Sequence, residues 1–205
     1  MATLKDESDA QRYRRFQKQI GFLIEIDKVK NVFRKTRLFH DKRYENDAEH
    51  GWHMSMMAII LSEYSNEKID LSRVIKMALI HDLVELDAGD TYLYAENQDE
   101  KVDKERKCAQ RVFGMLPDDQ RDEFLNLWEE FEAKETNEAK FAGAIDRLGP
   151  VMQNYFDEGH AWKEHNVPSH KVKGVNSQIE KGSVMIWEYV QSLIEEAVRE
   201  GYLRE

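Results

Sequence analysis

Apolar residues repeat at intervals of three and four positions along most of this 205-residue chain, and this spacing constrains the fold more than any other feature. Such spacing places apolar side chains on one face of an α-helix, whereas the strict alternation of a half-buried strand is scarce here. Three prolines and ten glycines interrupt the pattern. The sequence therefore predicts an all-α protein, a helical bundle of about six to seven helices.

Cap residues and the apolar period predict where these helices lie. Their expected ranges are about 16–33, 47–61, 70–83, 98–115, 117–132, 135–158 and 175–200. Pro150 is expected to kink or break the helix that contains it, because proline removes a backbone donor. Residues 34–46 and 87–97 are predicted as loops. The third helix is apolar on most of its circumference and is therefore expected to be central.

The size and charge of the chain limit its organisation and its partners. With 205 residues and 41% hydrophobic content, residues 1–205 are expected to form a single domain. The net charge of −10 disfavours nucleic-acid polymers and anionic membranes as partners. Residues 11–43 nevertheless hold eleven Lys and Arg against three Asp and Glu, a local balance of 11 − 3 = +8. This segment is either a solvated helix face or a rim that attracts phosphate.

Other whole-chain features bear on the compartment. Cys108 is the only cysteine, so a disulfide framework and a CxxC metal site are both excluded. No apolar run approaches the roughly 20 residues that span a bilayer. The opening residues are too polar for a secretory signal. We expect a cytoplasmic protein.

The stretch "LIHDLVEL" places His81 and Asp82 side by side within an apolar helix. A buried carboxylate must be paired or metal-bound, because desolvating an isolated one is too costly. The dipeptide alone is a weak signal. Glu85, however, shares its helix face, because residues three and four apart are neighbours on a helix surface.

Two further polar residues interrupt apolar helical faces elsewhere. They are His50, in "AEHGWH", and Asp146, in "AGAIDRL". Alternatively, His50 is a hydrogen-bonded core histidine and Asp146 pairs with Arg147. Two imidazoles and two carboxylates together form a mixed nitrogen and oxygen site. Such a set suits one divalent ion, Mn²⁺, Co²⁺, Mg²⁺, Fe²⁺, Ni²⁺ or Zn²⁺.

The remaining histidines are given structural roles. His53 is expected to pack beside Trp52; the alternatives are that it orients a metal ligand or is itself a second ligand. His160, His165 and His170 recur every five residues, which spreads them around a helix. A surface loop is expected for them.

The order His50, then His81 with Asp82, then Asp146 resembles the HD-domain metal-dependent phosphohydrolases. The flanking segments "ENDAEHGWHM", "ALIHDLVELDAGD", "LWEEFEAKETNEAKF" and "AIDRL" resemble the HDDC2/YfbR-like branch, whose characterised members are 5′-deoxynucleotidases. The resemblance covers about residues 16–158, and residues 160–205 are expected to be a helical extension of the same domain.

This resemblance implies roles for particular residues. The implied metal ligands are His50, His81, Asp82 and Asp146. The implied catalytic residues are Glu85 and Asp90. Substrate contacts are implied for Asp82, Asp90, Thr91, Tyr92, Leu93 and Asp146. The branch also has a basic and an aromatic residue about fifteen positions before the first histidine. Counting back without gaps gives Lys35 and Thr36, with Arg34 or Arg37 replacing Lys35 if the loop shifts.

The expected function is removal of the phosphate from nucleoside 5′-monophosphates, with deoxyribonucleotides as substrates, by attack of a metal-activated water. One alternative is an HD-fold hydrolase of another small phosphoester, a cyclic nucleotide or a nucleotide polyphosphate. The other is a non-catalytic sensor or dimerisation module stabilised by the metal. The resemblance implies a homodimer, and aromatic residues near Trp187 and Tyr189 favour an exposed interface.

Overall fold

A computed structural model describes residues 7–89 and 98–205, which contain eleven α-helices and one two-stranded sheet. Seven of these helices have ten or more residues, in agreement with the all-α prediction. In chain order the elements are α1 (Glu7–Ile26), β1 (Phe33–Arg37), β2 (Tyr44–Asn46), α2 (Asp47–Leu61), α3 (Leu71–Ile80), α4 (Glu85–Ala88), α5 (Gln98–Phe113), α6 (Asp118–Ala133), α7 (Asn137–Phe156), α8 (His160–Glu164), α9 (Ser169–Asn176), α10 (Ile179–Gly182) and α11 (Val184–Arg199). Three 3₁₀ turns cover Asp27–Asn31, Ser62–Tyr64 and His81–Val84.

Helix α7 is the centre of the bundle. It contacts α2, α3, α6, α10, α11 and β1, and eleven of its twenty residues are buried. Helix α3 was predicted to be central, but it leaves Leu79 54% exposed. The prediction that α3 is central was wrong, because the apolar content of a helix does not determine how many other helices pack around it. Helix α7 also continues through Pro150 without a break.

Residues 34–46, predicted as a loop, instead contain an antiparallel hairpin of β1 and β2. The inward positions carry polar side chains, among them Thr36 and Glu45, both of which are buried. A strand with polar residues on its buried face lacks the apolar alternation by which strands are recognised. The hairpin leads directly into α2, where Asn46 forms a capping box with Glu49.

The C-terminal part also differs from the prediction. A single helix was expected over residues 175–200, but Ser183 is extended and separates α10 from α11. The Ser183 side chain caps α11 by accepting a hydrogen bond from the backbone N–H of Ile186. Residues 160–170 are largely helical rather than a loop. His165 and His170 are exposed as expected, whereas His160 is half-buried.

Two amphipathic faces remain uncovered. The first helix was predicted over about residues 16–33, whereas α1 covers Glu7–Ile26 and a 3₁₀ turn follows it. Phe16, Leu23 and Ile24 are exposed on α1, so its apolar face meets solvent. On α2 the exposed residues are Trp52, Met56, Ile59 and Ile60. Among the described helices, none combines the length and the apolar character needed to cross a membrane.

Candidate metal centre

His81 and Asp82 lie at the point where helix α3 gives way to a 3₁₀ turn. His81 is buried, and its Nδ1–H donates to the carbonyl oxygen of Ala78 at 3.0 Å. This hydrogen bond directs Nε2 to the opposite side, where it lies 3.2 Å from Oδ1 of Asp82. A histidine held in this way through one ring nitrogen presents the other as a ligand.

His50 enters the same space from the first turn of α2. Its Nε2 lies 3.1 Å from Oδ1 of Asp146, which projects from the middle of α7. Its Nδ1 lies 3.5 Å from Oε2 of Glu45 on β2. Because Glu45 faces one ring nitrogen and Asp146 faces the other, the imidazole is fixed between two carboxylates.

The four residues predicted as ligands therefore converge from α2, α7 and the turn after α3. One donor atom each from His50, His81 and Asp82 all lie within 4.8 Å of one another. Asp146 Oδ1 completes the group, since it also lies 3.6 Å from Nε2 of His81. Two imidazole nitrogens and two carboxylates at this spacing fit the donor set and size of a divalent cation site. The fit is supported by Nε2 of His81, which is buried and makes no hydrogen bond within the described residues.

The charges of the cluster are coupled. Burial by itself would lower the pKa of His81, but Asp82 and Asp146 outweigh burial and raise that pKa to about 10. Burial would raise the pKa of Asp82, but His81 and Arg34 lower it below its ordinary value. The pKa of Asp146 is lowered against burial by His50 and His81. The cluster thus holds protons on its imidazoles that a cation would displace.

Arg34 is a positively charged side chain beside the cluster. Its Nη1 lies 2.6 Å from Oδ2 of Asp82 and 3.5 Å from Oδ1 of Asp47. The ungapped count from His50 pointed to Lys35, with Arg34 or Arg37 as the alternatives if the loop shifted, and of these three the structure brings only Arg34 to the cluster. Lys35 is exposed, because consecutive residues of a strand face opposite sides.

Arg37 is directed elsewhere. Its Nη1 lies 3.7 Å from Oδ2 of Asp157, and its guanidinium lies over the ring of Tyr44. Of the three cations named from the sequence, Arg34 thus lies against the cluster, Lys35 is exposed, and Arg37 contacts Asp157. The register of β1 decides which basic side chain faces the cluster. Counting residues back from His50 does not reveal that register, because it is set by pairing with β2.

Glu85 is buried at the first residue of α4. The preceding turn is 3₁₀, in which residues three apart lie one above the other, so Glu85 follows Asp82 along one edge of the turn. This agrees with the face predicted from spacing. Asp90, Thr91, Tyr92 and Leu93 lie outside the described residues.

Sequence reasoning missed two residues of the site. Glu45 is 2% exposed and contacts the outer nitrogen of His50, but a single acid in an apparent loop gives no local signal. Lys134 follows α6, and its Nζ lies over the ring of Phe131, which in turn packs against His81. His53 behaves as predicted, since its ring stacks on Trp52 with 6.2 Å between centroids and takes no part in the cluster.

A family model described as "HD domain" matches residues 26–187. The chain belongs to the HD-domain family. The match covers most of the chain, including all four residues of the cluster and the hairpin that carries Arg34.

Several known proteins are similar to this chain. The crystal structure of a predicted metal-dependent phosphohydrolase from Magnetospirillum magnetotacticum MS-1 is 48% identical in sequence and has a TM-score of 0.89. The match covers 93% of this chain and 96% of that protein. The 5′-deoxynucleotidase HDDC2 of Danio rerio is 34% identical over 140 residues, 67% of this chain and 66% of the relative. Human 5′-deoxynucleotidase HDDC2 is 29% identical, over 65% of each chain. This chain thus spans slightly less than two thirds of these two relatives.

Proposed function

We propose that this protein is a metal-dependent phosphomonoesterase that removes the phosphate from nucleoside 5′-monophosphates, with deoxyribonucleotides as its substrates. One observation carries the proposal: two imidazoles and two carboxylates converge beside the guanidinium of Arg34. The similarity to a metal-dependent phosphohydrolase and to two 5′-deoxynucleotidases supports it.

The residues that would hold the cation are His50, His81, Asp82 and Asp146. A bound divalent cation would lower the pKa of a water molecule and neutralise charge on the phosphoryl group. The mixed donor set accommodates Mn²⁺, Co²⁺, Mg²⁺, Fe²⁺, Ni²⁺ or Zn²⁺. Glu45 keeps His50 oriented for this role by contacting its outer nitrogen.

Arg34 binds the phosphate in this proposal. A guanidinium presents its N–H donors in a planar fork that matches two oxygens of a phosphate. Arg34 is half-buried in the hairpin and already lies against Asp82. A phosphate held by Arg34 therefore lies next to the cluster, as charge stabilisation of phosphoryl transfer requires.

The proton transfers are assigned to two carboxylates. In the hydrolysis, the water oxygen bonds to phosphorus while the bond from phosphorus to the 5′ oxygen breaks. We assign to Glu85 the proton that leaves the water, since Glu85 is buried directly after Asp82. Asp90 is assigned the return of a proton to the departing 5′ oxygen, and Thr91, Tyr92 and Leu93 are assigned contacts with the nucleoside.

The function is tested on the purified chain with a panel of nucleoside monophosphates, cyclic nucleotides and nucleotide polyphosphates, each with Mn²⁺, Co²⁺ or Mg²⁺. We expect phosphate release from the 5′-monophosphates, greatest for the deoxyribose forms. Asp82→Ala should lose both bound metal and activity, while Asp122→Ala, at an exposed acid of α6, should keep both. Full activity of Asp82→Ala would refute the proposal, and a flat signal across the panel would favour the sensor alternative.

We also propose that two copies of the chain associate through the exposed face of α2. Trp52, Met56, Ile59 and Ile60 recur at helical spacing and form one apolar stripe. Leu79, on the adjacent helix α3, is exposed as well. Of the aromatics expected at an interface, Trp187 is 6% exposed and thus belongs to the core, whereas Tyr189 is exposed. Exposed tryptophan and aliphatic side chains in one patch are typical of interface centres.

A further inference from the structure

Lys134 has an unusual backbone conformation at the end of α6. Its φ is 51° and its ψ is 34°, which places it in the left-handed region. Glycine adopts this conformation without steric cost, whereas a residue with a Cβ atom does so at an energetic cost. A lysine at this position therefore needs a compensating role for its side chain.

The side chain of Lys134 packs on Phe131, and Phe131 packs on His81 of the cluster. The Nζ of Lys134 lies 2.8 Å from the ring centroid of Phe131, and that ring lies 4.8 Å from the ring centroid of His81. The aliphatic stem passes over Gly143, where a Cβ atom would lie 2.9 Å from Cε of Lys134. Gly143 precedes Asp146 by three residues, so both lie on the same face of α7.

The ammonium group of Lys134 has no carboxylate within ion-pair distance among the described residues. Burial lowers its pKa to about 8, an effect that Glu132 and Asp146 partly offset. Arg34 differs, because Asp82, Asp47 and Glu45 already lie within 4.0 Å of its guanidinium. Beside the cluster, the described part of the chain thus holds one cation shared among carboxylates and a second, Lys134, with no carboxylate within ion-pair distance.

We propose that Lys134 is a second phosphate-binding residue, which holds one oxygen of the phosphoryl group from the α6 and α7 side while Arg34 holds another from β1. This inference rests on the proposed function and adds to it a residue from a part of the chain without a recognisable motif. The charge of Arg34 is already shared with Asp82, Asp47 and Glu45, so Arg34 does not by itself neutralise a phosphomonoester dianion beside the cation. Lys134 supplies the missing positive charge, and Phe131 and Gly143 fix the direction from which it does so.

The first test measures binding of inorganic phosphate to the Mn²⁺-loaded chain by titration calorimetry. Lys134→Gln should weaken phosphate binding roughly tenfold to a hundredfold, the usual range for a lost hydrogen bond to a charged group. Lys134→Arg should retain binding within about threefold, because the charge remains. The matched control is Lys163→Gln, since Lys163 also lies over an aromatic ring, that of Tyr202, but on helix α8.

A second variant separates phosphate binding from packing. Lys134→Gly removes the ammonium and also relieves the left-handed strain. We expect an unchanged or higher melting temperature together with weakened phosphate binding. If Lys134 served only to pack on Phe131, the melting temperature would fall and phosphate binding would stay at the wild-type level. That result, or wild-type phosphate affinity of Lys134→Gln, would overturn the inference.

Gly143→Ala provides an independent test without changing any charge. The added methyl group would displace the end of the Lys134 side chain, and it should weaken phosphate binding in the wild-type background. In the Lys134→Gln background it should have no further effect, because the ammonium is already gone. Additive losses would contradict the inference.

The outcomes also distinguish this inference from the proposed function. If wild-type protein binds phosphate and Lys134→Gln does not, the inference holds even when no nucleotide is hydrolysed. If nucleotides are hydrolysed and Lys134→Gln has wild-type phosphate affinity and KM, only the inference fails. Absence of phosphate binding to the wild-type protein would also overturn it.

Discussion

The guanidinium of Arg34 lies 2.6 Å from Oδ2 of Asp82. This ion pair joins the β-hairpin to the turn after α3 and so connects the residue proposed to bind phosphate with a predicted metal ligand. The same guanidinium is close to Asp47 at the start of α2. The hairpin therefore does more than connect α1 to α2, because its register determines which side chain meets the cluster.

Replacing Arg34 should impair catalysis more than metal binding. We expect Arg34→Gln to lower kcat/KM for a nucleoside monophosphate by about 10²–10³, the range for removal of one charge-stabilising donor. Metal content should remain, since the four proposed ligands are intact. The matched control is Lys35→Gln, one residue along the same strand but exposed. Equal losses in the two variants would contradict the assignment of Arg34.

Glu45 should act on the metal through His50. Glu45→Gln keeps the size of the side chain but removes the charge that faces Nδ1 of His50. We expect Mn²⁺ affinity to fall by roughly 10-fold to 100-fold, as for other partners of ligating histidines. Competition against a metal-sensitive dye measures this change. Glu49→Gln, at a half-buried acid of α2 that pairs with Arg43 rather than His50, is the control, and an affinity loss there of the same size would argue against a specific effect.

Metal binding should depend on pH in a defined direction. In the metal-free protein Asp82 and Asp146 raise the pKa of His81 to about 10, and the pKa of His50 is also raised. A raised pKa means that the rings carry protons near neutral pH, and the cation must displace those protons to bind. Apparent affinity should therefore increase as pH rises from about 6 toward 9. Calorimetry in two buffers of different ionisation enthalpy counts the released protons, and identical heats in both would contradict the prediction.

Association of two copies should depend on the stripe on α2. Trp52 and Ile60 are both 64% exposed. Trp52→Glu and Ile60→Glu place a charge in that stripe and should convert a dimer to a monomer, as measured by light scattering after size-exclusion chromatography. Ile24→Glu, on the exposed face of α1, is the comparison and should leave the dimer intact. A monomeric wild-type protein would refute the proposed association.

Gly182 should be intolerant of any side chain. A Cβ atom there would lie 2.3 Å from the backbone oxygen of Lys140 on α7, and backbone atoms have little freedom to move away. We expect Gly182→Ala to lower the free energy of unfolding by about 1–3 kcal/mol. At Gly174, in α9, a Cβ atom would meet nothing within 4 Å. Gly174→Ala should be neutral or slightly stabilising in the same denaturant titration, and equal effects at the two sites would contradict this account.

Local signals in the sequence predicted a large part of this structure. The apolar period identified the long helices, and the third helix was correctly expected to begin at residue 70, where Asp70 caps α3. The positions of His50, His81, Asp82 and Asp146 stood out because each places a polar group on an otherwise apolar helical face. Local signals suffice for these features because helical periodicity and the cost of burying a charge act within a few residues.

Only the tertiary structure decided the rest. Arg34 rather than Lys35 reaches the cluster because of the register of β1, and Glu45 meets His50 because β2 leads directly into α2. Lys134 lies over Phe131, which packs against His81. The close approach of Gly182 to α7 accompanies the break between α10 and α11. Each of these depends on contacts between residues far apart in the chain. The sequence by itself determined the helices and the polar residues that they bury, whereas the packing of those helices selected the charges that surround the cluster.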